Sequence, residues 1–160
     1  MTTRHHTDDD FVFLAPDPLI DSDLKLVLVE RIPARPAIGH VPCYHFAMRS
    51  TKDGAHMGDI YLRIGVTHNL IMYGGQIGYG VAPAHRGHHY AARSVRLVLP
   101  LARAHGLDPL WITCDPDNMA SRRSCELAGG QLVEIVDVPP GTEEYNEGKY
   151  QKCRYRFDLF

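Results

Sequence analysis

The stretch Ile77-Gly78-Tyr79-Gly80-Val81-Ala82-Pro83-Ala84-His85-Arg86-Gly87-His88-His89-Tyr90-Ala91-Ala92 decides how this chain folds. It opens as a glycine-rich strand and stops at a proline. Pro83 has no N–H, so pairing fails there, and the strand end keeps carbonyls and amides for an extended ligand with amides of its own. A basic, glycine-bearing turn then leads into the longest helical pattern of the chain. Ala91, Val95, Val98, Leu99 and Ala102 form one apolar stripe, with Arg93, Arg96 and Arg103 mostly off it. A helix start offers unpaired N–H groups and the positive end of a dipole, which stabilise a diphosphate. Pro100 predicts a kink or an early end to this helix, and Gly106 predicts its stop.

Upstream, Leu24 to Ile32 is dense in Val and Leu and predicts a buried strand, with a helix over residues 19–32 as the alternative. Pro33, Pro36, Gly39 and Pro42 break regular structure. Cys43–Met48 and Met57–Ile64 read as antiparallel strands about the turn 50–54, and Gly75–Val81 as a fourth strand. Downstream, Leu110–Cys114 reads as a core strand. Asp117-Asn118 caps a helix that runs to Leu127, Gln131–Val138 is a strand, and a long loop begins at Pro139. Gln151–Leu159 is the last strand, expected at a sheet edge. The order predicts an α+β domain of three layers, a mixed, mostly antiparallel sheet with helices packed on it. All 160 residues belong to it, with 1–10 expected to be disordered.

Composition narrows the function. With 17 basic against 19 acidic residues, a polybasic nucleic-acid binder is not the default reading. No apolar run is long enough to span a membrane, and the first ten residues lack an apolar signal region, so a cytoplasmic protein is expected. Cys43, Cys114, Cys125 and Cys153 have no zinc-ribbon spacing and read as thiols. No metal site is expected from the ten histidines. The charge is uneven. Ile60 to Leu107 holds no Asp, Glu or Lys but five arginines (Arg63, Arg86, Arg93, Arg96 and Arg103), a block suited to a phosphorylated ligand or else a solvated helix face.

Residues Arg86-Gly87-His88-His89-Tyr90-Ala91 resemble the [Q/R]-x-x-G-x-[G/A] acetyl-CoA motif of the GCN5-related N-acetyltransferase superfamily, with His89 in place of the central glycine. Val81-Ala82-Pro83 matches the flanking V-x-P. Trp111-Ile112-Thr113-Cys114-Asp115-Pro116-Asp117-Asn118-Met119-Ala120-Ser121 resembles the superfamily's strand followed by N-x-x-[A/S] at the next helix. The resemblance is good over 57–138, extends to 160, and is strongest to bacterial acetyltransferases of unassigned acceptor. It implies that acetyl-CoA is the cosubstrate and that no metal is used. Tyr79, Gly80 and Val81 would line the pantetheine arm through backbone bonds. Arg86, Gly87, His88, His89, Tyr90, Ala91 and Ala92 would surround the pyrophosphate, and Asn118 would bond the arm with Ser121 beside it. Asn118 also reads as a plain helix N-cap, and Tyr79 as a packing aromatic.

The departures concern the chemistry. Many members place a thiolate-protonating tyrosine seven residues after the asparagine, where this chain has Cys125. Thr113 stands where some carry a glutamate base, and Gln76 where an acidic residue sometimes serves. Cys125 is therefore the candidate acid, with core packing as its other reading. Family members usually wall the acceptor site with two helices. If 24–32 is a strand, only ten residues precede the strand at 43, and the site is open or closed by a neighbouring subunit or the 139–150 loop. A helix over 19–31 instead keeps part of the wall. The implied function is direct acetyl transfer to an amine of a small molecule or protein. The alternative is a degenerate CoA-binding regulatory or interaction domain. Acidic clusters at 8–10, Asp21, Asp23, Glu143, Glu144 and Glu147 either attract a cationic amine or are solvated loops. A homodimer, pairing through the terminal strand, is the expected assembly.

Overall fold

The computed structural model describes residues 11–160, and the expectation for residues 1–10 lies outside them. The α+β class holds, but the strands divide between two sheets, with every pairing antiparallel. The larger sheet has the order β1-β2-β3-β4-β5, built from Leu19–Asp21, Leu24–Ile32, Cys43–Ser50, His56–Arg63 and Ile77–Val81. The smaller has the order β6-β8-β7, from Leu110–Cys114, Gln131–Asp137 (β7) and Gln151–Phe157 (β8).

Residues 24–32 are strand and not helix, as the density of Val and Leu requires. Only Leu24 and Leu26 are buried, however. Val27, before the bulge at Leu28/Glu30, and Val29, within it, are exposed, while pairing with β3 continues to Ile32. Another correction concerns the last strand. β8 sits between β6 and β7 and is mostly buried, so the edges of that sheet are β6 and β7, not the terminal segment. Cys153 and Tyr155, fully buried on β8, explain this: a strand with apolar groups facing the helices and paired on both sides gains more than an edge strand.

Helix α1, Tyr90–Ala104, runs through Pro100 without ending there. Proline forfeits the bond to the carbonyl four residues back, but Leu101 and Ala102 beyond it are buried and hold the last turn in place. Gly106 then turns with φ 78°. Helix α2, Met119–Leu127, starts at Asn118, whose side chain accepts from the Ser121 N–H. Both helices cover one face of the sheets, around Leu24, Tyr44, Phe46, Ile60, Val95 and Tyr155. The opposite face carries thinner cover, namely a π-helical turn at Leu70–Gly74 and a one-turn helix α3 at Glu143–Asn146 within the long loop. Between β2 and β3 there is only a 3-10 turn at Pro36–Ile38. No described helix is long and apolar enough to cross a membrane.

Candidate active site

The site is a gap between the two sheets. β5 pairs with β4 on one side, but no strand pairs with its other side. β5 and β6 touch only at their starts. There the Gln76 N–H donates to the Trp111 carbonyl, and the Trp111 N–H donates to the Gln76 side-chain oxygen, both at 2.8 Å. Gln76 is wholly buried, and its amide nitrogen donates to the Gly65 carbonyl at 2.8 Å. It is therefore a structural pin, with no acidic role. Past the pin the strands diverge, and the free edge of β5 keeps backbone groups that need a partner.

The open end of the gap meets the quoted turn. Pro83–His85 forms a 3-10 turn, Gly87 takes φ 94°, and His89 takes φ 60°. His89 thus holds the left-handed backbone that favours glycine, at the position where the motif it resembles has one. No side chain caps the start of α1, and no acidic residue sits in its first turn. Its leading N–H groups are available to an anion. Tyr90, Ala91 and Ala92 are themselves buried, so this part of the helix offers backbone and not side chains.

The arginine block disperses, which corrects its reading as one anion site. Arg93 is bound by Asp21 at 2.8 Å and by Asp23 at 2.7 Å, and the Tyr90 hydroxyl donates to Asp23 at 2.5 Å. These two partners, Tyr90 first, hold the Asp23 carboxyl down at about 2. Arg96 donates to the Leu127 carbonyl, Arg103 lies over Phe160, and Arg63 faces away from α1. Arg86 alone stays in the turn, its Nε donating to the Val81 carbonyl at 3.3 Å.

Inside the gap, on the helix side, Tyr79 reaches α2. Its hydroxyl lies 2.8 Å from Ser121 Oγ and 3.5 Å from Cys125 Sγ. The chain thus brings Tyr79, Asn118, Ser121 and Cys125 together. Cys125 is fully enclosed; its contact with Cys114 and its burial push the thiol up, while the same contact pulls Cys114 down. Burial raises the Tyr79 phenol as well. Thr113, at the position of a possible base, spends its hydroxyl on the Tyr73 carbonyl at 2.7 Å.

On the other face lies a cavity of about 520 Å³ that the sequence did not reveal. Tyr61 and Arg63 of β4 form part of its wall, together with the 32–43 connection, the 67–74 segment and the 143–152 segment. Arg154 ties the 67–74 segment to β8: it donates to the Ile71 carbonyl, pairs with Glu134 at 2.6 Å and lies 3.9 Å from the Trp111 ring centre. Among the described residues, no three His, Cys, Asp or Glu side chains cluster to hold a metal ion.

The chain matches the acetyltransferase (GNAT) domain model over residues 4–131 and belongs to that family. No curated protein matches it at a significant level. Among solved structures, it resembles a GNAT-family acetyltransferase from Bacillus anthracis with TM-score 0.57 and 19% identity, over 72% of this chain and 66% of that one. An acetyltransferase from Agrobacterium tumefaciens gives 0.59 and 17%, over 92% and 98%. The microcin C7 self-immunity acetyltransferase MccE, solved with acetyl-CoA and AMP, gives 0.52 and 15%, over 72% and 61%. The matched region thus spans just under two thirds of several of these proteins.

Proposed function

We propose that the protein is an acetyl-CoA-dependent N-acetyltransferase that transfers the acetyl group directly to an amine. The observation that carries this reading is the uncapped start of α1, set against the unpaired edge of β5 in a chain of the GNAT family. The pyrophosphate would rest on the N–H groups of the turn from Arg86 through Gly87, His88 and His89 to Tyr90, Ala91 and Ala92. The pantetheine arm would run back along Tyr79, Gly80 and Val81, with Asn118 and Ser121 opposite. Its thioester then lies near Gly78, because the Gln76–Trp111 pin closes the gap there.

In the reaction the amine, its proton given to water, attacks the acetyl carbonyl. A C–N bond forms, the C–S bond breaks, and backbone N–H groups steady the oxyanion. The departing thiolate needs a proton. Cys125 is enclosed and packs behind Tyr79, so the proton would come from the Tyr79 hydroxyl, which stands between Cys125 and the gap and is oriented by Ser121. The rival reading, a CoA-binding module without chemistry, rests on the loss of the helical tyrosine at Cys125. A phenol arriving from β5 answers that objection. The acceptor would enter by the cavity on the outer face. Four unpaired thiols suit a reducing, cytoplasmic setting. A homodimer remains part of the proposal, now through β7, whose Leu132, Val133 and Ile135 are 42–51% exposed. Light scattering that gives a monomer at micromolar concentration removes the dimer.

The test is CoA release from acetyl-CoA across a broad panel of amines, with formation of the N-acetyl product followed by mass. Turnover of at least one amine supports the reading. Acetyl-CoA binding with no turnover of any amine overturns the enzyme and leaves the binding module.

A further inference from the structure

The charges of the outer-face cavity do not balance locally. Glu143 meets His40 at 3.2 Å, Glu144 accepts from Asn69 at 3.0 Å, and Glu147 pairs with Lys149 at 2.9 Å. Lys152, almost wholly buried, pairs with Asp115 at 3.0 Å. Glu143 and Glu147 are thus paired, whereas Glu144 has only the Asn69 amide on one oxygen, and its Oε2 is buried without a hydrogen-bond partner. Arg63 differs. Among the described residues no carboxylate pairs with it.

Arg63 is half-buried and held in place. Its Nη1 donates to the Gly75 carbonyl at 3.1 Å, and a Cβ added to Gly78 would stand 3.1 Å from Nη2 and 3.3 Å from Nη1. The guanidinium therefore lies flat beside β5 at Gly78, two residues past the pin and next to the end of the gap. A partly desolvated guanidinium without an anion is an unfavourable arrangement unless a ligand supplies one. Its fork of parallel donors matches a carboxylate in two-point fashion.

We infer that the acceptor is a free amino acid or a close analogue, a primary amine with a carboxylate one or two carbons away, and that Arg63 holds that carboxylate. This rests on the acetyltransferase reading above, which puts the thioester beside Gly78. The short distance sets the class. An anion bound by Arg63 leaves room for only a few bonds before the attacking nitrogen. A polyamine or an aminoglycoside lacks the anion, and a protein N-terminus carries a neutral peptide group in its place.

The experiment measures kcat/KM for CoA release with free amino acids, including β-alanine, against their carboxamides. The amides hold more free amine at neutral pH, since an α-amino group next to an amide has a pKa of about 8. A preference for the acid therefore cannot come from amine ionisation. Loss of a charged hydrogen-bonded pair lowers binding by roughly 10- to 100-fold, so the best free acid should exceed its amide by about that factor. Arg63→Gln should bring the acid-to-amide ratio close to one, and Arg63→Lys should restore part of it, with acetyl-CoA binding confirming that each variant folds. If wild type turns over amides or simple amines as well as free acids, the inference falls while the enzyme reading stands. If Arg63→Gln lowers both alike, Arg63 serves the oxyanion and the inference falls again. No turnover of any amine overturns both.

Discussion

The two sides of the gap between β5 and β6 are made of different material. The proposed cosubstrate side is backbone: an uncapped helix start, a turn with His89 and Gly87 at positive φ, and an unpaired strand edge. The proposed acceptor side is side chains: Arg63, Tyr61 and three glutamates around a cavity. A backbone site needs particular spacings and a few glycines or prolines, and so it leaves a local mark in sequence. A side-chain site is assembled from strands and loops far apart in the chain and leaves none. The same division separates a site that one cosubstrate fixes from one that can diverge with each acceptor.

The strongest way to break the backbone side is Gly58→Ala. A Cβ there would sit 2.3 Å from the Gly80 carbonyl oxygen, so β4 and β5 must part. The expected loss is about 3 kcal/mol or more in stability, a size associated with backbone strain and core disruption. Acetyl-CoA affinity should fall with it, read by denaturant titration and calorimetric binding. If the alanine variant is as stable as wild type, the close packing of β4 on β5 is wrong.

Next comes the proton path. Tyr79→Phe should lower kcat by about 10²-fold, in the range of a lost general acid, with little change in acetyl-CoA affinity. Cys125→Ala should act mostly through stability, because it leaves a small void behind Tyr79, and should cost about 1–2 kcal/mol. A larger fall in kcat for Cys125→Ala than for Tyr79→Phe would return the acid to the thiol.

A smaller effect is expected at the cap. Asn118→Ala removes the acceptor of the Ser121 N–H bond, at 3.1 Å, and should lower stability by about 1 kcal/mol. If the arm also touches Asn118, acetyl-CoA affinity must fall beyond what the lost stability explains.

The pair at the start of the chain's first hairpin gives a pH signature. The Asp23 carboxyl is held at about 2 in the fold, below its usual value. Its contribution is therefore complete above the unfolded value near 4 and disappears as pH falls from about 4 through 2. Asp23→Asn should lower the melting temperature at neutral pH and flatten the acid drop in that window. An unchanged acid profile would show that the Tyr90–Asp23–Arg93 contact does not form.

Much of the fold was legible because each element carries its own signal. The stripe from Ala91 to Ala102 shows helical spacing, Asn118 caps, and the prolines at 33, 36 and 42 exclude the usual two helices. The position of β8 was not legible. Which strand lies between two others depends on packing against α1 and α2, and alternation in Gln151–Leu159 says nothing about neighbours. The residues proposed to hold the cosubstrate read as a motif in the sequence. Tyr79 was placed there for its backbone, since only the fold brings its hydroxyl to Ser121 and Cys125, 42 and 46 residues away. Arg63 reads in the sequence as one of five arginines, and its separate placement on the cavity wall follows from where β4 ends.

The central claim, that acetyl-CoA binds at the turn leading into α1, is tested most directly by thermal unfolding with acetyl-CoA, wild type beside His89→Gly. A ligand at about 100 times its dissociation constant stabilises by about 2.7 kcal/mol, which raises the melting temperature of a domain this size by several degrees, on the order of 5 °C or more. His89→Gly, relieved of a left-handed φ of 60° and open to closer approach of the phosphates, should show an equal or larger rise. No shift in either protein at millimolar acetyl-CoA would contradict the account.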